Sequence, residues 1–238
     1  MKALTVGFVI LLTFAPPAAA QDLSLSLGSG QELSRTVIGL IALMTVLSLV
    51  PGLAVMITCF PLVVTVMSIL RQALGLQQAP PNMLIVALSL FLTWYVMEPV
   101  LALAWADGIG PFYRGEMTFD AAISPSWAPF RDFMMGRVDP DVLAKLADLR
   151  QQGADLEAVG PDILVPSFML SEMQKAFQIG FLLFLPFLII DLIVAAILMS
   201  MGMMMVPPAI VALPFKLAFF VISDGWILVS EALVRSYL

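Results

Sequence analysis

Residues 166–226 read PSFMLSEMQKAFQIGFLLFLPFLIIDLIVAAILMSMGMMMVPPAIVALPFKLAFFVISDGW. Two long apolar runs meet at a methionine-rich break closed by Pro207 and Pro208, and Asp191 and Lys216 sit inside runs long enough to cross a membrane. A charge placed in hydrocarbon costs a few kcal/mol or more, so such side chains face partners or a water path. The stretch therefore reads as part of a membrane assembly with a polar interior surface.

The rest of the chain agrees with this. Of its 238 residues 61% are hydrophobic and 12% charged, where a soluble domain carries about 25% charged residues to clothe its surface. A net charge of −6 leaves no basic patch to neutralise phosphates, which argues against nucleic acid as a partner. Histidine is absent, which excludes imidazole general catalysis, imidazole metal ligands and a histidine pH switch. Cys59 is the only cysteine and lies in an apolar run; it cannot form an intrachain disulfide and reads as a small buried hydrophobe. No base, nucleophile or metal-ligand spacing emerges, so the chain is read as a non-enzyme without a cofactor.

Residues 1–20 have the form of a secretory signal: Lys2 as the positive start, an apolar stretch, then Ala18-Ala19-Ala20 ahead of Gln21. Cleavage there puts the mature N-terminus outside the cytoplasm. Four apolar segments follow, at 37–70, 83–106, 177–205 and 209–233, each with the roughly 20 residues that a spanning helix needs. Pro51, Pro61, Pro99, Pro186 and Pro214 interrupt them, and a proline removes a helical hydrogen bond and kinks the helix. Between the second and third segments, 139–152 has the marks of a soluble helix: Asp139 to cap it, Pro140 in its first turn, Gly153 beyond it, and Val142, Leu143, Leu146 and Leu149 on one face. The expected fold is an all-α polytopic membrane protein. It has four long kinked apolar helical segments arranged as hairpins and a small helical extracytoplasmic insertion. Its parts are the signal (1–20), the first two segments (21–106), the insertion (107–171) and a C-terminal hairpin with a methionine-rich loop (172–238).

Two sets of residues are candidates for function. Met199, Met201, Met203, Met204 and Met205 crowd a bend bounded by Gly202 and the two prolines. Methionine is flexible and polarizable, which suits either ordinary packing or a deformable seal where several copies converge. Thioether ligation of copper or haem is disfavoured with no histidine or cysteine nearby. The second set is ionic: Glu172, Lys216, Asp191, Glu98 and Asp224, the last three read as buried polar groups. In an ideal hairpin with its tip near Val206, Lys216 lies roughly 15 Å from the tip, Asp191 roughly 22 Å and Glu172 roughly 51 Å. Asp191 is then the better partner for Lys216 within one chain.

RQALGLQQAPPN (71–82), SEMQKAFQIGFLLFLPFLIIDL (171–192), MSMGMMMVPPAI (199–210), LPFKL (213–217) and SDGW (223–226) occur in that order. Together they closely resemble the FliP family of flagellar biosynthesis proteins, whose counterparts serve virulence-type injectisomes. The resemblance covers nearly all of the chain beyond the signal; Met83 departs from the glutamine expected after PPN. It implies a core subunit of the type III export gate in the bacterial inner membrane at the flagellar basal body, with much of the chain held on the periplasmic side. Several copies, five in number, would form with FliQ and FliR the channel through which unfolded flagellar proteins cross, alongside export-apparatus proteins such as FlhB and FlhA. Met201, Met203, Met204 and Met205 would be the pore seal, and Glu172 and Lys216 a pair bridging neighbouring subunits. The alternatives are an injectisome export-gate subunit or, in a different class, a small-molecule membrane transporter.

Overall fold

The computed structural model describes residues 30–76, 79–150, 159–203 and 205–237, and every regular element among them is helical. In chain order these are α1 (Gly30–Met56), α2 (Phe60–Ala73), α3 (Asn82–Ala104), a π-helical turn (Trp105–Ile109) running into a single-turn α4 (Gly110–Tyr113), α5 (Phe119–Met135), α6 (Pro140–Leu149), α7 (Pro161–Ser200), α8 (Pro208–Ile222) and α9 (Gly225–Arg235). The all-α expectation holds. The proposed signal at 1–20, Gly153 and Met204 lie outside the described residues. The chain divides into two units, 1–49 and 50–238. In the first, α1 exposes Val37, Ile38, Ile41, Leu43, Met44 and Leu47 on every described face, as a helix surrounded by lipid or protein does.

The second unit is built around α2. The segment expected at 37–70 is two helices, because its two prolines behave differently. Pro51 is carried inside α1, whereas Pro61 falls in the first turn of α2, where a missing N–H costs nothing and a fresh helix starts readily. Thr58 closes the break: its hydroxyl donates to the Val55 carbonyl at 2.7 Å and accepts from the Phe60 amide at 3.3 Å. The 14 residues of α2 reach about 21 Å, short of a hydrocarbon core about 30 Å thick. The helix is instead buried in protein. Leu62, Val66, Met67, Leu70 and Ala73 are wholly inaccessible, packed against Ile85, Val96 and Met97 of α3, Ala176 and Phe187 of α7, Phe220 of α8, and Val229 and Leu233 of α9.

Helix α7 carries the architecture. It was expected from residue 177, but its 40 residues begin at Pro161 and extend about 60 Å, with Pro166 and Pro186 inside an unbroken helix. Its first third belongs to the insertion, where Ile163, Leu164 and Phe168 form a second core with Met134 of α5 and with Leu143 and Ala147 of α6. Asp139 caps α6 as expected, its carboxylate accepting from the Asp141 amide at 2.9 Å. The helix ends at Leu149, which is exposed, and Ala147 takes the buried place on that face. Higher up, α7 passes α2 so closely that a Cβ on Gly180 would lie 2.4 Å from Ile69 Cδ1.

The final segment is bent. Helices α8 and α9 meet at 60°, with Asp224 in the left-handed region (φ 49°) between them. Among the described residues, three helical stretches are long and apolar enough to cross a membrane: Val37–Met56, Asn82–Tyr113 and Pro161–Ser200, and the bent pair would make a fourth. Only 17% of the most apolar window of α7 is buried by the chain itself. Its remaining apolar surface requires lipid or another protein.

The close approach at Gly180 makes a direct test. Gly180→Ala should destabilise the protein by about 1–2 kcal/mol through overpacking, read as a lower unfolding temperature in detergent. Adding Ile69→Val, which removes the clashing methyl, should recover part of the loss. An unchanged unfolding temperature in Gly180→Ala would show that α2 and α7 are not in this contact.

Candidate functional site

The polar groups of the apolar helices gather into two ties and an exposed turn. The first tie is at Lys216, on the middle of α8 and 5% exposed. Its ammonium donates to Asp191 Oδ2 of α7 at 2.7 Å and to the carbonyl of Ala73 at 3.1 Å. Ala73 ends α2, so its carbonyl lacks a helical partner and sits at the negative end of the helix dipole. One cation therefore closes an ion pair and caps the core helix at once, joining α2, α7 and α8. Removing one member of such a pair strands the other charge, which is the costly event; the net worth of the intact pair is far smaller. Asp191 Oδ1 is buried with no hydrogen-bond partner among the described residues.

The second tie surrounds Glu172, fully buried on α7. Oε1 faces Arg137 Nε at 3.4 Å and Lys175 Nζ at 3.8 Å, and Oε2 accepts from the Tyr237 hydroxyl. The Arg137 guanidinium lies 3.9 Å over the Tyr237 ring and donates to the Ser236 carbonyl, while the Lys175 ammonium donates to the Arg137 carbonyl. Phe133 stacks with the Tyr237 ring, their centroids 6.1 Å apart and their planes inclined by 17°. Burial first, and then the charge of Glu172, push the Tyr237 phenol above its ordinary value, so it stays a donor at neutral pH. The corner joining α5 and α6, the lower part of α7 and the C-terminal residues thus share one carboxylate.

Glu172 and Lys216 do not meet within the chain. Lys216 takes Asp191, the partner that hairpin distances favoured, and Glu172 takes Arg137 and Tyr237. Within the single chain, Glu98 on α3 and Asp224 at the α8–α9 bend are exposed and Asp191 is half-buried. Glu98 falls on the outward side of α3, beside the buried Val96 and Met97, and Asp224 occupies the outside of a turn. Arg137, Tyr237 and the Ala73 carbonyl were missed. Cys59 is buried as expected, and burial pushes its thiol up to about 11.

The methionine turn is built by its glycine. Gly202 (φ 74°) follows the last turn of α7; its amide donates to the Met199 carbonyl at 3.1 Å, and the Met203 amide donates to the Leu198 carbonyl at 3.0 Å. This pair of bonds ends a helix through a left-handed residue that glycine adopts without steric cost. Met201, Met203 and Met205 all project outward, Met205 at 95% exposure. Below the turn, a wholly apolar groove of about 350 Å³ runs between α7 and α8, lined by Ile190, Ile193, Val194, Ile197, Val211 and Phe215. Among the described residues, no group of three or more aspartate, glutamate or cysteine side chains could hold a metal.

A chain whose described elements are all helical, with several spanning-length apolar helices, ion pairs inside the apolar runs and uncovered apolar faces, is a polytopic membrane protein. More particularly, it belongs to the FliP family, whose sequence profile matches residues 43–233. Flagellar biosynthetic protein FliP of Caulobacter vibrioides is 46% identical over 226 residues, spanning 93% of this chain and 85% of that protein. The FliP of Agrobacterium fabrum is 41% identical over 98% of both chains, and that of Aquifex aeolicus 39% identical over 99% of both.

Proposed function

We propose that this chain is a flagellar biosynthetic protein of the type III export apparatus, working as a core subunit of the export gate in the bacterial inner membrane. Family membership and the shared name of its relatives support the flagellar and export reading. The observation that carries the gate is the α7–α8 hairpin: spanning-length apolar faces left bare, ending in outward-facing methionines on a glycine-formed turn. Such faces call for neighbours. In this reading several copies, five in number, close into a ring with FliQ and FliR, next to FlhB and FlhA, at the basal body. Much of the assembly stands on the periplasmic side, residues 1–20 are removed after Ala20, and unfolded flagellar proteins pass along the axis.

Converging copies would bring the methionine turns together as a soft, water-excluding seal, which flexible thioethers suit. Replacing Met203, Met204 and Met205 together by alanine should raise leakage of ions and small solutes through an otherwise assembled complex. Wild-type leakage with intact assembly would reduce the turn to packing.

In the assembled ring Glu172 and Lys216 bridge neighbouring copies, each exchanging the intrachain partners described above. Lys216→Glu then blocks oligomer formation, and adding Glu172→Lys restores it in part. Rescue by Asp191→Lys, with none from Glu172→Lys, would confine the Lys216 pair to a single chain.

A further inference from the structure

Helix α9 is fixed at both of its ends. At its start, the chain turns by 60° through Asp224, whose left-handed backbone is uncommon for a residue with a side chain. Gly225 follows, and a Cβ there would lie 2.1 Å from the Phe220 ring, so the turn is tight and confined to residues 223–225. At the other end, Ser236 and Tyr237 are gripped by Arg137 and Glu172. Between these ends the helix is loosely seated. Val229 and Leu233 are buried, but Ile227 and Leu228 are exposed, and a groove of about 610 Å³ lies between α9 and α3, lined by Leu88, Leu92, Tyr95, Trp226 and Val234.

We propose that α9 is a strap, hinged at Ser223–Gly225 and latched at its far end by the Tyr237 hydroxyl on the Glu172 carboxylate, which swings from α3 when the latch opens. The latch is the strongest hold on the element, since hydrogen bonds to charged groups contribute more than neutral ones. Arg137 is its positioning residue: the guanidinium both faces Glu172 and covers the Tyr237 ring, and Lys175 fixes the Arg137 backbone from below. Elements with exposed faces that are held chiefly at their ends open at lower free energy than the core around them. Opening would widen the α3–α9 groove and uncover the apolar side of Val229 and Leu233, lifting the share of the cover over α2 that α9 supplies and giving the subunit a second shape. This inference rests on the intrachain contacts of Glu172, so it describes the subunit before that carboxylate passes to a neighbouring copy in the ring.

The test is amide hydrogen exchange on the full-length protein in detergent. Tyr237→Phe keeps the ring on Phe133 and Arg137 and removes only the donor. The amides of Gly225–Arg235 should then exchange about tenfold faster, with those of α7 and α8 at wild-type rates. Arg137→Lys, which keeps the charge but loses the flat guanidinium, should move the same amides in the same direction. Unchanged exchange in α9 for both variants would overturn the latch. An equal rise across α5, α6, α7 and α8 would also overturn it, making Tyr237 a general stabiliser.

Discussion

A helix of 14 residues with six of them buried, including Leu62, Met67 and Leu70 with no accessible surface, sets the conditions for the rest of the second unit. Helix α2 is too apolar to lie in water and too short to cross a bilayer, so other helices must enclose it. That need brings α3, α7, α8 and α9 together, and at Gly180 it presses α7 onto α2 until a side chain no longer fits. Helix α7 also packs on α5 and α6 at its start and on α8 near its end, but much of the hydrophobic surface that α3, α7 and α8 turn inward goes to α2. Their opposite faces, with Phe91, Phe181, Leu192 and Phe215 among them, remain bare.

Enclosing α2 also creates a polar problem at its C-terminal end, where carbonyls run out of amides. Lys216 answers it from α8, and Asp191 answers the resulting buried charge from α7. The charges in the apolar runs are therefore consequences of the core and need no substrate to explain them. The Glu172 tie does comparable work lower on α7, holding the insertion and the C-terminal residues to one helix. Between the two ties α7 is almost entirely apolar, which fits a helix that presents its outer face to a neighbour or to lipid.

Much of this was legible in the sequence, and the misses have physical causes. Helical class, the methionine turn and the Asp139 cap are local, written in short patterns of apolar residues, glycine and proline. The Asp191–Lys216 pair was within reach because a hairpin converts sequence distance into height along two antiparallel helices. The break at Pro61 was not, since two prolines in one apolar run look alike until packing shows which opens a helix. The Glu172 tie was out of reach for another reason: its partners lie 35 and 65 residues away, on a corner and a chain end that carry no periodicity. Glu98 and Asp224 were read as buried because they interrupt apolar runs, yet an exposed position on one helix face and the outside of a turn interrupt such runs equally well.

The central claim is that the chain spends its inner faces on α2 and leaves its outer faces for other copies and partners. Native mass measurement of the complex purified in mild detergent tests this most directly. The account predicts a particle containing several copies of this chain, five if the ring is closed as proposed, that persists on dilution. A particle with one copy, stable and fully folded in detergent alone, would contradict it.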